Sequence, residues 1–369
     1  MDSIVKEVVT RSGGEPRVPE SPTQFLGVGA EDAELERILA SLRTNIKILG
    51  IGGGGCNTID RLVEAGIVGA ELYAANTDAQ HLLTIRSPHK LLLGRRVTRG
   101  LGAGALPQVG EESAREAADE IRSVVQGADM IFITCGLGGG TGTGGAPVVA
   151  QLAKEAGALT IAICTFPFRA EGAIRAENAE FGLEKLRSFA DTVVVIPNDK
   201  LLELVPRLAL NAAFKVADDV LMRAIKGITE VITKPGLVNL DFNDIKTIMK
   251  GGGVAMIGLG ENDRDDRAEA AIEEAINSPL IDVDISHATG ALVNVTGGND
   301  MSVSEAEKVS EIVQGRIAPN ARIIWGAAID PSLEHKIRVM LILTGVRSKQ
   351  ILGPGEHPRA PHAGVDIVR

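Results

Sequence analysis

One stretch restricts the fold of this chain more than any other: Gly136-Leu137-Gly138-Gly139-Gly140-Thr141-Gly142-Thr143-Gly144-Gly145-Ala146-Pro147. An apolar run over residues 128–135 leads into it and reads as a buried strand, and residues 147–154 read as a helix behind it. A strand that breaks into glycines and threonines and then opens a helix is a phosphate-holding arrangement. Bare backbone N–H groups and hydroxyls face the helix N-terminus, where the dipole favours an anion. Glycine also tolerates positive φ and lets a ligand approach the backbone closely. The plainer alternative is a tight or flexible loop, and the density of Gly and Thr favours phosphate binding over it.

The flanking pattern is regular. Strands are expected over 46–49, 71–76, 89–93, 159–164 and 192–196, with helices through Ile59, Leu62 and Val63, over 110–126 and over 171–189. Strands alternating with helices at this spacing indicate a Rossmann-like, doubly wound parallel α/β sheet with right-handed crossovers. Its ligand belongs beyond the carboxyl ends of the strands, where the glycine-rich loops at 50–55, 99–104 and 136–145 all gather. A long helical pattern over 208–233 ends at Lys234-Pro235-Gly236, a stop signal. Beyond it, apolar runs at 254–259, 291–295, 323–329 and 337–343 alternate with helices near 263–277 and 302–314, the pattern of a smaller α+β domain. Ahead of the first strand, residues 31–42 read as one amphipathic helix through Leu35, Ile38, Leu39 and Leu42.

Composition narrows the function. A formal charge of −10 argues against a nucleic-acid partner, which normally calls for a basic footprint. Aromatics are only 3% of the 369 residues, too few for a base-stacking platform. Polyphosphate held by so acidic a chain must be attracted by backbone amides, helix ends and a metal ion. Cys56, Cys135 and Cys164 lack metal-ligand spacing and cannot all pair, which suits reduced thiols in a cytoplasmic protein. The charged opening, Met1 to Glu7, is not expected to be a signal peptide, and no apolar run is long enough to span a bilayer.

Gly50-Ile51-Gly52-Gly53-Gly54-Gly55 satisfies the G-x-G-x-x-G dinucleotide fingerprint, with Glu71 near the distance expected of a ribose-binding acid. An NAD-dependent oxidoreductase built on Gly50–Gly55 is therefore one reading. It leaves the second glycine loop without a role. A Walker A loop is excluded, because no Lys-Ser or Lys-Thr follows either cluster. Two anion-binding loops without that lysine suggest a nucleotide gripped by backbone from two sides.

Gly138-Gly139-Gly140-Thr141-Gly142-Thr143-Gly144 resembles the signature loop shared by tubulins and FtsZ, the prokaryotic cell-division GTPase family. The resemblance runs from about Ile46 to Val346. It includes Gly52–Asn57, Asn76-Thr77-Asp78-Ala79-Gln80, Gly100-Leu101-Gly102-Ala103-Gly104, Pro167-Phe168 with Glu171 and Arg175, and Asn239-Leu240-Asp241-Phe242-Asn243-Asp244. It is closer to FtsZ than to tubulin, and the N-terminal arm is similar to that of archaeal FtsZ. The residue pattern and the resemblance together give an arm over 1–44, a GTP-binding domain over 45–207, a central helix over 208–235 and an α+β domain over 236–348; the tail over 349–369 lies beyond the resemblance, and its Pro, Gly and His are expected to be disordered.

The resemblance also implies roles. Gly53, Gly54, Gly55, Cys56 and Asn57 would contact the nucleotide, and Gly140, Thr141 and Gly142 would cradle the phosphates. Glu171 and Arg175 would face ribose and phosphate, although at i, i+4 they could equally bond each other. Phe214 would stack on guanine. Asp219 would read N1 and N2 of the base, selecting GTP over ATP. Asp78 would lie near Mg²⁺, or else cap the helix that starts at Ala79. Asp241 and Asp244 alone look like ordinary capping acids. In the family they enter the neighbouring subunit's pocket and position the attacking water, so that a head-to-tail homopolymer completes hydrolysis in trans. Cys56 replaces a usual glycine or alanine and suggests an oxidation-sensitive site. The implied setting is the mid-cell division ring, with membrane-tethering partners but no direct membrane insertion. A structural relative that binds nucleotide without hydrolysing it is the remaining alternative.

Overall fold

The computed structural model describes residues 44–204, 210–233, 241–278, 280–281 and 285–346. The expected helix over 31–42, the stop at Lys234-Pro235-Gly236, Asn239-Leu240 and the tail lie outside the described residues.

The first half alternates β1 (Ile46–Ile51), α1 (Gly52–Glu64), β2 (Ala70–Asn76), α2 (Ala79–Thr84), β3 (His89–Leu92), α3 (Pro107–Glu116), α4 (Ala118–Val125), β4 (Met130–Gly136), α5 (Thr141–Glu155), β5 (Leu159–Phe166), α6 (Ala173–Phe189) and β6 (Thr192–Pro197). α7 (Asn198–Leu204) and the long α8 (Leu210–Thr233) follow. The second half holds α9 (Phe242–Met249), β7 (Gly253–Asn262), α10 (Arg267–Ile276), β8 (Gly290–Gly297), α11 (Val303–Arg316), β9 (Arg322–Ile329) and β10 (Ile337–Thr344).

Among the described residues these strands form one 10-stranded sheet in the order β3-β2-β1-β4-β5-β6-β7-β10-β8-β9. The first six strands are parallel, and the strand order reverses direction between β1 and β4, which pair as Ile46↔Met130 through Ile51↔Cys135. That reversal is the switch point at which open α/β sheets bind ligands. The second half is mixed: β10 runs antiparallel to β7 and β8, and β9 is parallel to β8. The sequence pattern did not foretell that β7 extends the first sheet, through the short ladder Thr192↔Gly253, Val193↔Val254 and Val194↔Ala255.

Strands β1 and β4 are continuous apolar runs because both faces are covered. Their alternate residues divide between two cores. Ile46, Ile48, Met130 and Phe132 pack under α1 and α8 on one face, with Leu62, Leu221, Ile225 and Ile228. Leu49, Ile51, Ile131 and Ile133 pack on the other face, with Ala114, Ile121, Val149 and Leu183 from α3, α4, α5 and α6. Both cores continue into the second half, through Ala255, Ile257 and Ile342 on the first face and Met256, Ile272 and Val293 on the second.

Three local differences from the expected pattern concern helix ends. α1 begins at Gly52 and α5 at Thr141, so glycines expected in loops form the first turns of helices, and Pro147 lies inside α5. Close packing rather than backbone freedom explains several of them. A Cβ on Gly144 would stand 1.9 Å from the Pro107 carbonyl oxygen, and one on Gly55 would stand 2.2 Å from that of Thr134. The expected helix over 110–126 starts earlier, at Pro107 in the first helical position, and is divided at Ala117.

Candidate functional site at the glycine edge

Helices α1 and α5 leave the paired strands β1 and β4 side by side, so their positive N-terminal ends converge. Neither has a side-chain cap. The two turns touch: a Cβ on Gly52 would stand 2.8 Å from the Gly142 nitrogen, and one on Gly54 would stand 3.3 Å from that of Gly136. Helix N-termini leave orphan N–H groups, and a covered end without a cap points to a ligand.

The donors can be sorted. Leu137 N–H donates to the Thr165 carbonyl and Gly138 N–H to Thr143 Oγ1, each at 2.9 Å. Gly140 N–H, expected to cradle phosphate, instead donates to the Gly104 carbonyl at 2.9 Å, tying the loop to the Gly100–Gly104 segment. Gly139, Thr141 and Gly142 keep N–H groups without an acceptor among the described residues. The Thr141 hydroxyl meets that of Thr77 at 2.6 Å. Gly53 and Gly139 are informative in another way. Neither has a positive φ, and a Cβ there would meet nothing within 4 Å. No atom of the described residues requires glycine at these positions, whereas a ligand against the backbone would.

Beside this cradle lies a cleft of about 300 Å³ between α1 and α8, lined by Asn57, Asp60, Arg61, Phe214 and Asp218 among others. Phe214 is 38% exposed and packs edge-on to Phe168, with ring centroids 5.1 Å apart. Asp218 follows Phe214 by one helical turn and faces the same cleft. Burial pushes its carboxyl up to about 6, opposed by Arg61, whose Nε is 3.8 Å away. Asp219, the residue expected to read the base, does not line the cleft. It is held by Arg223 at 2.7 Å on the next helical strip, because consecutive residues diverge by about 100° around a helix.

Glu171 and Arg175 bond each other at 2.7 Å, the second of the two readings their spacing allowed. The other Glu171 carboxylate oxygen accepts from Phe168 N–H at 2.9 Å, fixing the turn that presents Phe168 to Phe214. Cys56 is buried, and its thiol donates toward the Ala75 carbonyl. Burial pushes this thiol up to about 12, which removes the reactive thiolate and corrects the expectation of an oxidation-sensitive site.

Asp78 caps α2, one carboxylate oxygen accepting from His81 N–H at 3.0 Å. Among the described residues no three His, Cys, Asp or Glu side chains converge as a metal cage. Asp241 caps α9 by accepting from Asn243 N–H at 3.0 Å, and Asp244 lies exposed in the first turn.

The helix that these two acids open packs at the other edge of the sheet. Phe214 near the start of α8 faces the glycine edge, whereas Thr233 at its end lies against Gly69, just ahead of β2. Nineteen residues of helix separate them, about 28 Å at 1.5 Å per residue. α9 stays at this far edge, since the Thr192 hydroxyl at the start of β6 donates to the Met249 carbonyl.

Residues 45–206 match the GTPase domain of the Tubulin/FtsZ family, and residues 253–347 match the C-terminal domain of the FtsZ family. The chain is 58% identical to cell division protein FtsZ 1 of Archaeoglobus fulgidus over the full length of both. It is 55% identical to cell division protein FtsZ of Haloferax mediterranei, covering 99% of this chain and 98% of that one. The solved empty FtsZ dimer of M. jannaschii superposes with a TM-score of 0.82 at 54% identity, covering 86% of this chain and 93% of that one. These matches show a GTPase, and the reading of the chain as an NAD-dependent oxidoreductase built on Gly50–Gly55 gives way to it. The chain belongs to the FtsZ family of tubulin-like cell-division GTPases.

Proposed function

We propose that each subunit holds GTP at its glycine edge and hydrolyses it only when Asp241 and Asp244 of a second subunit reach that edge in a head-to-tail polymer. The observation that supports this reading is that α9, the helix these two acids open, packs against the start of β6, at the far end of α8 from Phe214. One subunit cannot bring both to the same phosphate, and a heterologous contact that does not close builds a filament.

Within a subunit, the open N–H groups of Gly139, Thr141 and Gly142 face the phosphates, with the bare backbone of Gly53 on the opposite side. Phe214 stacks on guanine, and Asp218, in place of Asp219, accepts from N1–H and N2–H. Adenine offers no such donor pair, which gives the preference for GTP. Asp78 uses one carboxylate oxygen as a cap and keeps the other for Mg²⁺, whose remaining ligands would be phosphate and water oxygens. When bound, that ion offsets phosphate charge. The acids from the second subunit orient the attacking water, because phosphoryl transfer needs chiefly positioning and charge stabilisation.

The rim of the glycine edge supports docking. Leu101, Leu106 and Ile174 are 86%, 58% and 71% exposed, apolar area that a second copy would cover. We assign the polymer to the mid-cell division ring and its attachment to membrane-tethering partners, by analogy with the cell division proteins to which the chain is similar. The reading is tested by GTP turnover against protein concentration, with light scattering in parallel. Turnover per subunit should collapse below the concentration at which scattering appears. A rate per subunit independent of concentration would contradict it.

A further inference from the structure

A chain of side-chain hydrogen bonds runs from the end of β2 to the cleft, and its polarity can be assigned. Asn76 is buried, and its Oδ1 accepts from Thr77 N–H at 2.9 Å. A backbone N–H can only donate, so the Asn76 oxygen is fixed there and its Nδ2 is the group 3.2 Å from His81 Nδ1. His81 Nδ1 must then accept, which places the ring proton on Nε2. Nε2 is 3.1 Å from Asn57 Oδ1 and donates to it. With its oxygen committed, Asn57 is left with its Nδ2 amide hydrogens for the cleft that it lines with Phe214 and Asp218.

We infer that His81 is a positioning residue for nucleotide binding: through one ring tautomer it holds Asn57 so that an N–H donor, not a carbonyl acceptor, faces an acceptor atom of the bound guanine nucleotide. This deepens the proposed function and rests on its assignment of the cleft to the nucleotide. His81 also ties the two sides of the site together, because its own N–H is the donor that Asp78 accepts. Without the ring, Asn57 is free to rotate its amide, and the site loses a preset donor.

The ring is well suited to this task. Neutral imidazole offers one donor and one acceptor in fixed directions, and a glutamine amide can reproduce both. An apolar side chain of similar bulk reproduces neither. His81→Leu should therefore weaken GDP and GTP binding about tenfold, the worth of one hydrogen bond, while leaving turnover at saturating GTP within about twofold. His81→Gln should restore affinity to within about twofold of the parent protein.

The measurement is titration of full-length protein with GDP and GTP, alongside turnover at saturating GTP and thermal unfolding of each variant. Phe214→Ala is the control for the cleft itself. If Phe214→Ala leaves affinity unchanged, the assignment of the cleft to the nucleotide fails. If Phe214→Ala weakens binding but His81→Leu does not, only the role of His81 fails. Equal weakening by His81→Leu and His81→Gln would also overturn it, since bulk alone would then matter. A readout independent of any variant is the ring tautomer, from ¹⁵N-histidine NMR of the parent protein, whose 6 histidines are few enough to assign. The Nε2-protonated form is expected for His81; an Nδ1-protonated ring would overturn the inference.

Discussion

Asp218 lies one helical turn beyond Phe214 on α8, and the two residues line the same cleft, while Asp219 turns away to Arg223. Asp218→Asn should weaken guanine nucleotide binding by about tenfold to a hundredfold, the range for a charge-assisted hydrogen bond. Asp219→Asn should change it by no more than about twofold, because it removes only an exposed i, i+4 pair.

The Asp218 carboxyl gives this a pH signature. It is raised from 3.8 to about 6 by burial, and only the ionised form accepts from N1–H and N2–H. Affinity for GDP should be full only well above pH 6 and fall as pH drops through it. The ligand-free fold has the opposite slope. A raised carboxyl favours folding fully below its ordinary value and loses that contribution as pH rises through about 6. Both slopes should vanish in Asp218→Asn, as read by nucleotide titration and by Tm against pH.

Two glycine substitutions separate ligand contact from packing. Gly144→Ala drives a Cβ to 1.9 Å from the Pro107 carbonyl oxygen. It should cost about 3 kcal/mol or more, or prevent folding, as overpacking against backbone does. Gly53→Ala meets no atom of the described residues within 4 Å. It should unfold like the parent protein in a thermal melt yet lose nucleotide affinity.

Asp244→Ala removes an exposed side chain of α9 at the edge opposite the glycine cradle. GTP binding and sedimentable polymer should persist while turnover falls by about a hundredfold or more, the scale of losing a positioned catalytic group. Parent-like turnover would remove Asp244 from the chemistry.

Cys56 offers a negative test. Buried and held protonated, it should resist a thiol reagent in the folded protein and react only at the rate of unfolding. Prompt labelling, with loss of nucleotide binding, would contradict the buried placement.

Much of this was legible in the chain itself. The strands at the centre of the sheet announce themselves as continuous apolar runs because both their faces are covered, and the apolar strip of α8 is long enough to mark a helix crossing the whole sheet. The starts of α1 and α5 were hidden. Glycine is a poor helix former, and its presence there follows from backbone contacts such as Gly55 against Thr134 and Gly144 against Pro107 that only the folded chain brings together. The joining of β6 to β7 rests on a short ladder between distant segments, for which no local pattern exists. That Asp218 and not Asp219 shares the cleft with Phe214 could have been read from spacing alone, since i, i+4 from Phe214 shares a helix face and i, i+5 does not. The commitment of the Gly140 N–H to Gly104 had no sequence signal, because it depends on where a remote loop carbonyl falls.

The central claim is that hydrolysis is completed between subunits, and mixing two inactive proteins tests it most directly. Asp244→Ala keeps the cleft and lacks a catalytic acid; Phe214→Ala/Asp218→Ala keeps the acids and lacks the base site. Each alone should turn over GTP negligibly. Mixed in equal amounts, a cleft from the first can meet the acids of the second, and turnover should recover to at most about a quarter of the parent rate, the share of such contacts under random head-to-tail association. Failure of the mixture to hydrolyse GTP while the two proteins co-sediment would contradict catalysis in trans.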